Sequence, residues 1–223
     1  MNLKLFFEAI IKFLLGVIMI GLLIFIPANS LSYFNGWLLM GLLFIPMFIA
    51  GIIMLIKSPK LLKSRLDAKE KETEQRKVVA LSAIMFLLGF IVAGLDYRYN
   101  ITKVPNIVVV IASIIFIMSY MIYAEVLREN AYLSRTIKVE KNQRVIDTRL
   151  YKIVRHPMYS ATIFLFLSMP LILGSFVSFI IFLIYPFIII KRIKNEEEIL
   201  EKKLKGYKEY KNKVKYRLIP FIW

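Results

Sequence analysis

Four apolar runs, each about twenty residues long, govern what this chain can fold into. They lie at about 5–27, 36–56, 78–95 and 105–127. A helix needs ~20 apolar residues to cross the hydrocarbon core of a bilayer, and irregular backbone cannot face lipid. Each run therefore reads as a spanning helix. A fifth apolar block, 159–190, is longer than one span needs, and Pro170 and Gly174-Ser175 interrupt it near the middle. Proline and glycine break or turn helices, so the block predicts a helical hairpin with short arms; one long bent helix is the alternative. With 59% hydrophobic residues and a mean hydropathy of +0.67, the chain exceeds the roughly 45–50% apolar content of soluble domains. The expected fold is all-α: a polytopic transmembrane helical bundle of about four spanning helices plus a C-terminal hairpin. The first run is longer than the apolar region of a signal peptide and no A-x-A site follows it, so it reads as a retained helix.

Charge sets the topology. Of the 31 Lys and Arg, 29 fall in the N-terminus and in 57–77, 128–158 and 191–217; only Arg98 and Lys103 lie elsewhere. By the positive-inside rule these basic segments, and both termini, are cytoplasmic. An even number of crossings follows, which favours the hairpin. The formal charge of +16 is thus mainly topological, with attraction to anionic headgroups as a by-product, and nucleic acid is not an expected partner. Zero cysteines and one histidine exclude disulfides, thiolate nucleophiles and His- or Cys-rich metal sites. The connector 57–77 reads as an amphipathic, solvated helix.

A hairpin returns the chain to the side it left. The segments flanking it, KNQRVIDTRLYKIVRHPMY at 141–159 and KRIKNEEEILEKKLKGYKEY at 191–210, must therefore end near each other. The second reads as a helix leaving the membrane. Ile193, Leu200, Leu204, Tyr207 and Val214 recur as one apolar stripe. Helical phase puts Glu196 and Glu197 on or beside that stripe, whereas Glu198 and Glu201 point outward. An inward carboxylate needs a partner, and Arg192 stands four residues before Glu196. A plain helix-surface pair, worth ~0.2–0.5 kcal/mol, explains that spacing equally well. Taken singly, His156, Arg155, Tyr151 and Tyr159 each fit the polar and aromatic zone at a membrane surface. Together, opposite two inward carboxylates, they form a surface able to hold a ligand with both charge signs and an adenine-like ring.

The stretches RVIDTRLYKIVRHPMYSA, RIKNEEEIL and GYKEYKNKVKYRLIPFIW resemble the isoprenylcysteine carboxyl methyltransferase-like family of integral membrane methyltransferases, to which phospholipid N-methyltransferases are related. ENAYLS at 129–134 and SPKLLKSRL at 58–66 share the likeness. The resemblance implies two regions: N-terminal transmembrane helices (1–127), then a catalytic region with cofactor loop, hairpin and C-terminal cytosolic helix (128–223). It implies S-adenosyl-L-methionine as cofactor and a lipophilic or lipidated acceptor within the bilayer. The implied cofactor site is Gln143, Arg144, Val145, Ile146, Tyr151, His156, Pro157, Met158 and Tyr159, closed by Glu196 with Glu197 beside it. Arg192 matches a position that contacts substrate, and Asn130 and Arg155 are candidates for orienting it. Where the family usually has G-P-Y or G-x-Y before the histidine motif, this chain has Arg149-Leu150-Tyr151. The glycine usual two residues after the motif tyrosine is Ala161.

Methyl transfer from a sulfonium needs neither metal nor covalent nucleophile, and a carboxylate acceptor needs no general base. Tyrosine faces suit a sulfonium, and a guanidinium fork suits a carboxylate. A sterol-type membrane reductase using NADPH is the rival enzyme, against which the chain offers no glycine-rich dinucleotide turn. A transporter is the rival from another class. The ionisable residues Glu8, Lys12 and Glu125 lie towards helix ends, whereas transport pathways place charge nearer mid-membrane.

Overall fold

The computed structural model describes residues 3–67, 72–133, 136, 139 and 142–223. Residues 68–71 of the connector, Ser134 and Lys141 lie outside the described residues. The described residues contain no β-strand. The helices are α1 (Leu3–Ala28), α2 (Phe34–Lys57), α3 (Pro59–Leu66), α4 (Thr73–Tyr99), α5 (Asn106–Glu129), α6 (Pro157–Ile172), α7 (Phe176–Phe182), α8 (Tyr185–Lys203) and α9 (Tyr207–Lys213). α1, α2, α4, α5 and the α7–α8 unit are long and apolar enough to cross a membrane. α6, at 16 residues, is about 24 Å long. The protein is an integral, multi-pass helical bundle.

The bundle is apolar on both sides of its helices. Ile24, Leu39, Phe116, Ile172, Phe182 and Ile193 are fully buried, while Leu15, Ile53, Ile114 and Phe187 point outward to the lipid. Hydroxyls within the spans bond backbone carbonyls one turn back: Ser82 to Val78, Ser113 to Val109 and Ser168 to Phe164. Such internal pairing is what a water-free medium demands. Close approach is paired with glycine. A Cβ on Gly89 would stand 2.3 Å from the Phe182 ring, where α4 lies against α7.

The last apolar block is a hairpin. α6 runs to Ile172 two residues after Pro170, the chain turns through Gly174 (φ +81), and α7 begins at Phe176. α7 and α8 continue one another across a short break before Pro186, at the start of α8. The turn is tied to α4 and α1–α2 at one end of the bundle. Asp96, 1% exposed, accepts from the Thr102 backbone N–H at 2.7 Å and hydroxyl at 2.5 Å, and from Ser175 Oγ. Tyr33 donates to the Leu173 carbonyl. The basic segments gather at the other end. Lys12 reaches the Leu66 carbonyl at 2.9 Å, Arg65 contacts Tyr123, and Lys191 pairs with Glu74 at 3.4 Å.

Two boundaries differ from the sequence reading. α4 begins at Thr73 rather than near 78, because Gln75 is buried against α8, donating to Asn195 Oδ1 at 2.7 Å and the Arg192 carbonyl at 3.3 Å. The helix expected over 191–210 ends at Lys203, and Gly206 (φ +86) turns the chain into α9. The apolar stripe survives the break: Ile193, Leu204, Tyr207 and Val214 are all buried.

Candidate functional site

The chain enters α6 through Arg155 and His156. Their backbone N–H groups donate to Tyr216 and Arg217 carbonyls, each at 2.9 Å. Ser160 Oγ donates to the Leu218 carbonyl at 2.7 Å. The C-terminal strap thus fixes the histidine loop at the entry to α6, and Pro157 opens α6 at its first position, where a missing N–H costs nothing.

Glu197 anchors this junction from α8. It is 3% exposed. Its Oε1 accepts from Arg155 Nε at 2.7 Å and faces His156 Nε2 at 3.2 Å; its Oε2 accepts from Arg217 Nε at 3.0 Å. Arg155 also donates to the Val214 and Lys215 carbonyls at 2.6 and 2.8 Å. A buried carboxylate is tolerated only when enclosed in this way.

One helical step away, Glu196 faces an open cleft. Its Oε2 accepts from the Tyr159 hydroxyl at 2.6 Å, and that hydroxyl accepts from Arg192 Nε at 2.8 Å. Tyr159 therefore bridges the cation and the carboxylate. The guanidinium carbon of Arg192 lies 5.9 Å from the centre of the Tyr159 ring. The imidazole of His156 stacks on the same Tyr159 ring, with centroids 5.7 Å apart.

The third wall comes from the segment before the histidine. Tyr151 sits in a 3₁₀ turn, Arg149–Lys152. Its hydroxyl accepts from Asn130 Nδ2 at 3.0 Å, and its carbonyl accepts from the Tyr210 hydroxyl at 2.7 Å. Burial pushes the Tyr151 phenol up to about 12, so it is a neutral hydroxyl at neutral pH. Arg149 adopts φ +45, a left-handed conformation at the place where glycine is usual in the resembled family. Its side chain is held by Glu125 and, at 3.0 Å, by Glu129. Ala161 is helical and 1% exposed, a position with no call for glycine's freedom.

Asn130, Gln143, Arg144, Val145, Ile146, Tyr151, Arg155, His156, Met158, Tyr159, Arg192 and Glu196 all line this one cleft. The cleft is open to solvent at its mouth and, counting that open space, holds ≈ 850 Å³. Pro157 and Glu197 stand behind the wall rather than in it. Tyr207, Tyr210, Leu133, Leu200 and Leu204 also line the cleft, and Arg217 completes the cage around Glu197. The apolar stripe marked Leu200, Leu204 and Tyr207 as packing residues only. Arg217 had no local signal beyond the rule that an inward carboxylate needs a cation. No group of three or more His, Asp or Glu suited to a metal occurs among the described residues.

A bundle of membrane-length helices whose last hairpin carries a cleft at one end defines a class, the polytopic helical membrane protein. A comparison with protein families matches residues 108–202 to the isoprenylcysteine carboxyl methyltransferase (ICMT) family, so this region of the chain is similar to that family of membrane methyltransferases. The match runs from α5 through the segment before the histidine and the hairpin to the end of the acidic run on α8. No curated protein matches the chain.

Proposed function

We propose that the protein is an S-adenosylmethionine-dependent methyltransferase acting on a carboxylate or amine of a lipid or lipidated small molecule. The observation that carries this reading is the single cleft joining Arg192, Tyr159 and Glu196 to Gln143–Ile146, Tyr151 and His156. The chemistry of the lining suits the cofactor. An acceptor-only carboxylate serves hydroxyl and amino groups, tyrosine faces serve a cation, and Val145, Ile146 and Leu204 offer flat apolar walls. When bound, S-adenosylmethionine would supply a methyl group on a positively charged sulfur.

The protein's own groups then position and desolvate. Glu196, oriented by the Tyr159 hydroxyl, accepts hydrogen bonds from the ligand. Arg192, held on the same hydroxyl where α8 leaves its apolar part, clamps an anionic acceptor. A lipophilic acceptor arrives laterally, so alignment accounts for most of the catalytic task. Arg155 and Glu197 hold the histidine loop rather than touching the reacting groups. The basic end of the bundle, with both termini, faces the cytoplasm, where a water-soluble cofactor is available. In a prokaryote the host would be the cell membrane.

The test is thermal unfolding of the detergent-solubilised protein with S-adenosylhomocysteine or NADPH. At ~100 times its dissociation constant, a ligand of the native state adds about 2.7 kcal/mol. S-adenosylhomocysteine should raise the melting temperature and NADPH should not. The reverse result would replace this reading with that of a reductase.

A further inference from the structure

Three buried side-chain polar atoms have no hydrogen-bond partner among the described residues: Ser64 Oγ, Gln75 Oε1 and the Tyr207 hydroxyl. Only Tyr207 belongs to the lining of the cleft. It opens α9 immediately after Gly206, is 4% exposed, and packs with Val126, Tyr151, Leu204, Tyr210 and Val214. Its neighbour Tyr210, with ring centres 5.8 Å apart, has its hydroxyl committed to the Tyr151 carbonyl at 2.7 Å. Two tyrosines one turn apart on a short helix thus differ: one hydroxyl is used by the fold and the other has no partner among the described residues.

Burying a hydroxyl without a partner is unfavourable, and native proteins keep few such groups. Phenylalanine would fill the same volume without that penalty. A tyrosine there points to a partner that arrives with the ligand. The surroundings restrict what the partner is. The Tyr207 side of the cleft is apolar and aromatic, with Val145, Ile146, Leu200 and Leu204 alongside, which suits a flat ring. Glu197 and Glu196 act on the phenol through their charges, so an anionic acceptor is disfavoured beside it. Burial pushes the phenol well above its ordinary range and keeps it a donor.

Resting on the cofactor reading above, we propose that the Tyr207 hydroxyl donates a hydrogen bond to a neutral acceptor, a ring nitrogen or ribose oxygen, on the nucleoside half of the bound cofactor. It is a binding residue and takes no part in the transfer itself.

The experiment measures S-adenosylhomocysteine affinity and ligand-free melting temperature for the full chain in detergent, with Tyr207→Phe and Tyr210→Phe as variants. Tyr207→Phe should melt at or above the wild-type temperature, because it removes only an unpaired group, yet bind S-adenosylhomocysteine about 3- to 10-fold more weakly, the range for one neutral hydrogen bond. Tyr210→Phe should melt lower. Methylthioadenosine, which lacks the amino-acid end, should show the same loss on Tyr207→Phe. Wild-type affinity in Tyr207→Phe overturns the inference and leaves the cofactor reading standing. A lowered melting temperature, or failure to fold, shows that the hydroxyl serves the unliganded protein and also overturns it. A loss confined to S-adenosylhomocysteine moves the contact to the amino-acid end and refutes the nucleoside assignment. If the wild type binds no S-adenosylhomocysteine, the cofactor reading fails and this inference fails with it.

Discussion

Two consecutive carboxylates show how much one helical step decides. Glu197 is enclosed by Arg155, His156 and Arg217, Glu196 opens into the cleft, and Glu198 is exposed. Glu196→Gln should therefore weaken S-adenosylhomocysteine binding by the ~1.5–3 kcal/mol of a lost charged hydrogen bond. Glu198→Gln, the same change of charge, should leave affinity unchanged in a binding titration. Equal effects from the two would mean that the acidic run acts only as diffuse charge. Arg149 gives a second test at this scale. Its left-handed backbone is strained for any residue with a Cβ, while its ion pairs to Glu125 and Glu129 are solvent-screened. Arg149→Gly relieves the backbone and should melt no lower than wild type. Arg149→Ala loses the pairs without relief and should melt lower. A Gly variant less stable than the Ala variant would show that the side chain dominates.

The decisive element is the hairpin, because it carries Tyr159 on one arm and Glu196 on the other. Its turn depends on Gly174 at φ +81, close against Asn35, and on the Asp96 bonds from α4 to Thr102 and Ser175. Gly174→Ala forces a side chain into the left-handed region and should cost about 1–2 kcal/mol, read as a lower melting temperature. Unchanged stability would mean that the turn shifts freely. The hairpin was legible in advance because the block is longer than one span needs and Pro170 and Gly174-Ser175 interrupt it near the middle. The break after Lys203 was not. Leu204, Tyr207 and Val214 keep an apolar rhythm that a straight helix and a turn into α9 satisfy alike, and Gly206 was the one local sign of the turn. The early start of α4 was equally hidden, since polar Gln75 is buried only because α8 supplies its partners.

For the whole molecule, the structure gathers the first part of α1, α3, the start of α4, the end of α5 and the exit of α8 at one end. The segments 28–35, 96–104 and 173–176 gather at the other. With the basic end inside, cysteines introduced near Asn29 and Gly174 should react with an impermeant thiol reagent on intact cells. Cysteines in 57–66 and near Lys205 should react only after permeabilisation. The native chain has no cysteine, so no background arises. Outside labelling in 57–66 would invert the orientation, and no labelling at 174 despite labelling at 29 would remove the exposed hairpin turn.

The sequence by itself determined the membrane class, the first four spans, the hairpin and the meeting of its two flanking segments, but not that the second arm of the hairpin, α7–α8, is itself of spanning length. What it determined follows from run length, charge segregation and chain connectivity, which are local or topological quantities. Helical phase likewise placed both Glu196 and Glu197 inward. Only the tertiary structure decided that one faces the cleft and the other is caged, because that depends on Arg155 and Arg217, 42 and 20 residues away. It also decided that Tyr210 serves the fold while the Tyr207 hydroxyl has no partner among the described residues. An apolar stripe records which side chains turn inward; whether a polar tip on that stripe finds a partner depends on segments that spacing along the chain does not encode.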